Sequence, residues 1–188
     1  MTARELQEEM KRLLPPGRYE HTVGVTYTAC CLAYRYGADP DKARIAGLLH
    51  DCAKYIPSGE KITMAEKYGI SLSDCRRENP ELLHAPLGAC LAREKYGVTD
   101  PEILSAIAWH TTGKPEMSLL DKIVFIADYM EPNRNHAPNL PEIRVLAFQD
   151  LDACLLRILA GTIGYLESMD AAIDPMTEKT YHYYREEI

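Results

Sequence analysis

Four histidines and two aspartates in this 188-residue chain stand where the apolar pattern calls for core residues. His21 opens a helical segment. His50 and Asp51 follow Leu48-Leu49, His84 follows Leu82-Leu83, and His110 ends the run Ala106-Ile107-Ala108-Trp109. Asp128 lies inside Val124-Phe125-Ile126-Ala127-Asp128. A single such histidine is ordinarily a hydrogen-bonded core residue, and a single such aspartate a cap or a salt-bridge partner. The set as a whole is another matter, because burying an unpaired carboxylate costs free energy or shifts its pKa. A divalent cation compensates all of them, since it requires carboxylates and neutral imidazoles. Nitrogen and oxygen ligands without cysteine suit iron, manganese, cobalt, nickel or zinc in an open site rather than a structural zinc site.

Helices must position these groups, since the hydrophobic period is helical nearly throughout. Leu6, Met10, Leu13 and Leu14 form the apolar stripe of a first helix that Pro15-Pro16-Gly17 ends. A second is expected from about Tyr19 to Tyr36, and a third from about Asp41 through His50. Ser58-Gly59 precedes a short helix through Met64 and Tyr68, and Pro80 opens one carrying Leu83, Leu87 and Leu91. Asp100-Pro101 reads as an N-cap followed by a proline at the first helical position. Ser118 with Asp121 reads as a capping box opening LLDKIVFIADYM. Leu151 to Met169 is a long amphipathic helix, and PMTEKTYHYYREEI a final polar one, docked by Tyr181, Tyr183 and Tyr184. The longest loop falls at Glu131 to Pro141. The expectation is one all-α domain, a bundle of about seven to ten helices, with a core at about 18–135 and C-terminal helices 141–188 packed on it.

Composition narrows the function classes. Apolar residues make up 46% and charged residues 26% of the chain, the balance of a globular protein. The formal charge of −7 argues against broad nucleic-acid binding, which needs a basic face. No apolar run approaches the roughly 18 residues of a membrane span, and the charged, amphipathic N-terminus is not a signal peptide. A cytoplasmic protein is expected. Its six cysteines contain no C-x-x-C pair and are read as reduced and mostly buried.

His21, then His50-Asp51, then His84, His110 and Asp128 resemble the HD-domain metal-dependent phosphohydrolases, named for the adjacent His-Asp pair. RYEHTVGV (18–25), AGLLHDCAK (46–54), LLHAPLGA (82–89), AIAWHTTG (106–113) and LDKIVFIADYMEPNR (120–134) narrow the resemblance to the YqeK type. Members of that bacterial group cut diadenosine tetraphosphate into two ADP. The resemblance runs from Arg18 to the C-terminal helix. It implies that His21, His50, Asp51 and Asp128 hold one metal, and that His84 and His110 complete a second site or contact phosphate. With two metals Asp51 would be the bridge, and iron is the ion expected in the family. Metal-activated water would then attack an inner phosphorus, with two metals clamping the phosphoryl oxygens. His84 or His110, if not a ligand, would protonate the leaving oxygen. Asp51, His84, His110 and Lys54 are thus the candidate catalytic groups.

Further residues are candidates for binding the substrate, a dinucleoside polyphosphate or a nucleotide such as ADP. Lys54, three residues from Asp51 and four from His50, shares their face if the helix continues, and is read as a phosphate contact rather than a surface salt bridge. Arg18 lies one turn before His21 and can point at the site. Arg134 suits a bidentate phosphate contact, or a pairing with Glu131. The hydroxyls of Thr111 and Thr112, before a C′ glycine at Gly113, would bind phosphate or satisfy the last carbonyls of their helix. Trp109 is read as core. By resemblance, Ile173, Asp174, Pro175 and Thr177 border the nucleotide, although Asp174 stands where the family usually has histidine or tyrosine. His182 joins them if the last helix folds over the pocket, and His136 is placed outside the constellation in an exposed loop. The alternatives to the tetraphosphate hydrolase are a phosphohydrolase of a mononucleotide or cyclic nucleotide, and a metal-dependent nucleotide-binding regulatory module. The intact ligand set disfavours the regulatory module. Exposed tyrosines and the long helix allow a homodimer.

Overall fold

The computed structural model describes residues 1–137 and 139–187, and these are all-α. The helices are α1 (Ala3–Leu13), α2 (Pro16–Tyr36), α3 (Pro40–Leu49), α4 (Ser58–Lys67), α5 (Asp74–Glu78), α6 (His84–Glu94), α7 (Pro101–Trp109), α8 (Leu119–Met130), α9 (Leu140–Leu146), α10 (Leu151–Ser168) and α11 (Pro175–Glu187). A 3-10 turn covers Pro80–Leu83. The count passes ten because α5 and α9, of 5 and 7 residues, are too short for a 3.6-residue period to repeat. The caps behave as read. Asp100 accepts from the second and third helical N–H groups of α7, and Ser118 and Asp121 close a reciprocal capping box on α8.

Four boundaries differ from the sequence reading, each for a local reason. Pro16 does not merely end α1. It is the first residue of α2, where a missing N–H costs nothing, and this brings Arg18 into the first turn. Helix α3 stops at Leu49 instead of running on to Lys54. Residues 50–56 are successive tight turns, with Cys52 N–H donating to Leu49 O and Lys54 N–H to Asp51 O. Pro80 does not open one helix through Leu91, because Pro86 has no N–H for the Leu82 carbonyl and is tolerated only in a first turn. The α-helix therefore restarts at His84. The long loop is shorter by two residues than expected, with Leu140 and Pro141 already in α9.

Helix α2 packs along α3 and α8, and α7 packs against α3, α6 and α8. Between them Leu32, Leu49, Leu87, Ile107, Ile123 and Ile126 are fully buried. Each such side chain contributes roughly 1.5–3 kcal/mol relative to exposure, which fixes the helix ends in the core. Helix α10 packs on α8, α9 and α11. Tyr184 of α11 is buried and accepts a hydrogen bond from the Met117 N–H at 2.8 Å, docking the last helix on the loop before α8. Trp109 is half-buried at the end of α7 and lies outside the core. The cysteines are free, with Cys30, Cys52, Cys75 and Cys154 buried. Among the described residues, no helix is long and apolar enough to cross a membrane.

Candidate metal centre

Three of the four histidines sit at breaks in the helical ladder. His50 caps the C-terminus of α3, His110 caps that of α7, and His84 begins α6 after the 3-10 turn. The last carbonyls of a helical segment lack an intrahelical partner. Each ring satisfies one of them three residues back: His50 Nδ1–H donates to Gly47 O at 2.8 Å, His110 Nδ1–H to Ile107 O at 2.8 Å, and His84 Nδ1–H to Glu81 O. That contact fixes the tautomer and leaves Nε2 with its lone pair, the arrangement of a ligating imidazole. Burial pushes His50 down to about 4 and His84 down to about 3, so both rings are neutral near pH 7.

These lone pairs converge on Asp51, which is buried. Its Oδ1 lies 3.3 Å from His84 Nε2 and 3.7 Å from His110 Nε2. Its Oδ2 lies 3.6 Å from His50 Nε2 and 3.9 Å from His21 Nε2. One carboxylate thus faces two pairs of imidazoles with separate oxygens. Burial disfavours its charge, but the surrounding imidazoles, His50 foremost, hold the carboxyl well below its ordinary range.

His21 is supported differently. Its Nδ1–H donates to Glu131 Oε1 at 3.1 Å, and its Nε2 is 3.0 Å from Asp128 Oδ1. Burial lowers the His21 pKa, but the Asp128 and Glu131 carboxylates outweigh it and raise the value. Glu131 is itself buried, and its Oε2 accepts from the Asn133 N–H at 2.7 Å. Gly24 makes room for it: a Cβ there would stand 2.2 Å from Glu131 Oε2. Sequence reading gave neither residue a part in the site. The signal was EPNR, in which Glu131 was weighed only as a partner for Arg134.

The donor set fits divalent cations. His21, His50 and Asp51 form one group, and Asp51, His84 and His110 another, each with ligand atoms within 4.8 Å of one another. His84 Nε2 faces His110 Nε2 at 3.0 Å, and His50 Nε2 faces His21 Nε2 at 3.3 Å. Opposed lone pairs at those separations repel unless a cation lies among them. Asp128 adds a third carboxylate oxygen, 3.8 Å from His50 Nε2.

The HD-domain family model matches residues 18–133, which takes in every one of these ligands. The chain belongs to the HD-domain family. A Bacillus subtilis protein named bis(5′-nucleosyl)-tetraphosphatase, symmetrical, is 44% identical over 176 residues, spanning 93% of this chain and 92% of its own. A Staphylococcus aureus protein of the same name is 36% identical over 183 residues, 94% of this chain and 93% of its own. The crystal structure of a predicted HD superfamily hydrolase involved in NAD metabolism, from Clostridium acetobutylicum, superposes with a TM-score of 0.96 at 37% identity. That match covers 100% of this chain and 99% of that one. As an HD-domain protein, the chain is expected to bind divalent metal at these His and Asp groups.

Around the ligands of this HD domain the other candidates divide. Arg18 points into the centre, where Nη1 donates to Asp51 Oδ2 at 2.8 Å. Arg134 pairs with Asp128, not with Glu131, donating from Nη2 to Oδ1 at 2.9 Å. Lys54 is half-buried, and its Nζ lies 3.9 Å from Glu81 Oε2. Burial lowers its pKa, with the Asp51 carboxylate opposing. Thr111 Oγ1 reaches His84 Nε2 at 3.3 Å. Thr112 does not join it: buried, it donates to the Gly113 carbonyl, and Gly113 takes the left-handed φ of 65° expected of a C′ residue. Asp174 is buried, caps α11 and accepts from Arg76 Nε at 2.8 Å. Thr177 is buried close by, Ile173 and Pro175 flank Asp174 in the chain, and His182 is exposed on α11. Among the described residues, none of these α11-side groups hydrogen-bonds or ion-pairs with a ligand. A cleft of about 890 Å³ opens from Arg18, His21 and Arg134, and His136 lines it.

Proposed function

We propose that this protein is a metal-dependent hydrolase that cuts diadenosine tetraphosphate between its inner phosphates to give two ADP. The observation that carries the reading is Asp51, which presents one oxygen to His84 and His110 and the other to His21 and His50. Relatives named symmetrical bis(5′-nucleosyl)-tetraphosphatases support the substrate. When bound, a pair of divalent ions supplies water of lowered pKa and clamps the phosphoryl oxygens in line. Iron is the ion proposed, held by His21, His50, Asp51 and Asp128, with His84 and His110 completing the second group.

The chain's own residues carry the rest. Arg18 and Arg134 now neutralise Asp51 and Asp128, and the tetraphosphate competes for both guanidiniums as it enters. Among the described residues Lys54 has only the Glu81 carboxylate as an ion-pair partner, at 3.9 Å, so its ammonium is available to phosphate. The leaving group is the terminal phosphate of ADP, whose second pKa is about 6, so it departs as an anion and needs charge more than a proton. Lys54, Arg18 and Arg134 supply that charge. His84, neutral and tied through Nδ1 to a backbone carbonyl, suits ligation better than proton donation. We place the enzyme in the cytoplasm.

Purified protein loaded with iron(II) or manganese(II) is expected to convert diadenosine tetraphosphate to ADP alone. Formation of ATP plus AMP would overturn the symmetrical reading. Elemental analysis of protein from its native host decides the ion.

A further inference from the structure

We propose that the cleft beside the His21–Asp128 end of the metal centre seats one of the substrate's two nucleosides. The inference rests on the reading of the protein as a symmetrical tetraphosphate hydrolase. Cleavage between the inner phosphates puts the middle of the substrate at Asp51. Two equal arms, each with two phosphates and a nucleoside, then leave in opposite directions.

The two directions meet different surroundings. Beyond His84 and His110, helix α11 closes over the 111–113 turn so tightly that a Cβ at Gly113 would stand 2.7 Å from Thr180 Cγ2. Beyond His21, the surface falls away into the cleft of about 890 Å³ between the start of α2, the loop after α8 and the last turns of α10. Small-molecule sites occupy roughly 300–1,000 Å³, so this space suits a nucleoside with its phosphates.

Its chemistry is ordered as a nucleotide is. Arg18 and Arg134 stand at the inner end, where their guanidiniums already meet Asp51 and Asp128. The lining also includes Asn135, His136 and Thr162, which can meet the sugar or base edge, and Tyr165 on α10. Tyr165 is 58% exposed and lines the cleft, so its ring is open to a stacking base. Gly161, one turn before Tyr165, also lines the cleft, and a Cβ there would meet nothing within 4 Å. A Cβ added there displaces no protein atom, so a side chain can be introduced on this wall of the cleft.

Two variants of the full-length, metal-loaded enzyme test the assignment: Gly161→Phe, which fills the cleft, and Tyr165→Ala, which removes the platform. Calorimetry with millimolar ADP is expected to give two equivalents per chain for the wild type and one for each variant. The KM for diadenosine tetraphosphate should rise about tenfold, the usual scale for losing one stacked base. Adenosine 5′-tetraphosphate has a single nucleoside and keeps the other end, so its KM should change by no more than about twofold. Metal content and melting temperature should stay at wild-type values. One ADP equivalent in the wild type, or an unchanged dinucleotide KM in both variants, overturns the proposal. A wild type that cuts no dinucleotide overturns the functional reading instead, and the ADP stoichiometry of the variants still decides the cleft.

Discussion

His50, His84 and His110 hang on backbone carbonyls one turn back in their own segments, whereas His21 hangs on a carboxylate 110 residues away. The first arrangement is local. Once a helix ends at Leu49 or Trp109, an orphan carbonyl is already waiting for the ring, and no other side chain need be in place. The second is a chain of dependencies. Gly24 leaves room for Glu131, Glu131 orients His21, and the Asn133 N–H holds Glu131. The local end is robust to substitution around it, and the tertiary end can be broken one residue at a time.

Asp51 belongs to both arrangements, so its loss is the largest expected effect. Asp51→Ala removes an oxygen from each ligand group. It should abolish metal binding by elemental analysis and reduce turnover by roughly 10³-fold or more, the upper range for losing one electrostatic partner of a transition state. Retention of both metal and activity would refute the shared site. The next effect separates the two arrangements. Glu131→Ala takes away the acceptor of His21 Nδ1–H while leaving every ligand in the chain. Metal affinity should fall about 10- to 100-fold, the scale seen when a ligand's supporting contact is lost. The fall should be confined to one phase of a metal titration. A uniform weakening of both phases would mean that the groups are not separately supported.

The local arrangement is also the one that sequence reveals. Leucine pairs followed by histidine mark His50 and His84 within a few residues, and Asp100-Pro101 and Ser118 fix where α7 and α8 begin. What sequence did not reveal depends on groups distant in the chain. Glu131 looked like the start of a loop, because nothing near it in sequence shows that it is buried against His21. In sequence Asp174 reads as bordering the nucleotide and as a departure from the family pattern, and its partner Arg76 lies on a five-residue helix that no periodicity announces. His136 was set aside as an exposed loop residue. It is exposed, yet the loop that carries it walls the cleft. Lys54 was placed by helical spacing, but tight turns carry the chain from Asp51 to Lys54.

Gly24→Ala probes the same tertiary chain more gently. The new methyl would overlap Glu131 Oε2, the far end of a flexible side chain that can swing aside at the expense of its bond to His21. Metal affinity should drop by about tenfold or less, the lower end of the range for a disturbed supporting contact. If the methyl acts only through Glu131, the double variant Gly24→Ala/Glu131→Ala should bind metal no more weakly than Glu131→Ala alone, a non-additivity expected of groups in contact. Simple addition of the two losses would mean that Gly24 matters for another reason, such as the approach of α2 to the loop.

The smallest effect should come from the side chain nearest the local end. Glu81 gives His84 its carbonyl, and its carboxylate accepts from Lys61 Nζ and Ser58 Oγ, each at 2.6 Å. Glu81→Gln keeps the carbonyl. Metal affinity should therefore stay within about twofold of wild type, in contrast to Glu131→Ala. Its effect should appear in stability instead, and only over part of the pH range. The hydrogen bonds from Lys61 and Ser58 hold the Glu81 carboxyl down to about 2 from its ordinary 4.5. A folded-state pKa below the unfolded one contributes stability that is complete above pH 4.5 and is lost as pH falls toward 2. The Glu81 side chain is 47% exposed, so solvent screening limits the contribution to about 1 kcal/mol. Urea midpoints at pH 7 should place Glu81→Gln slightly below wild type, and the gap should close as the buffers are taken below pH 4. A gap that is constant with pH would show that the Glu81 charge is not what ties the 3-10 turn to α4. Lost metal affinity in this variant would show that the local end leans on side chains after all.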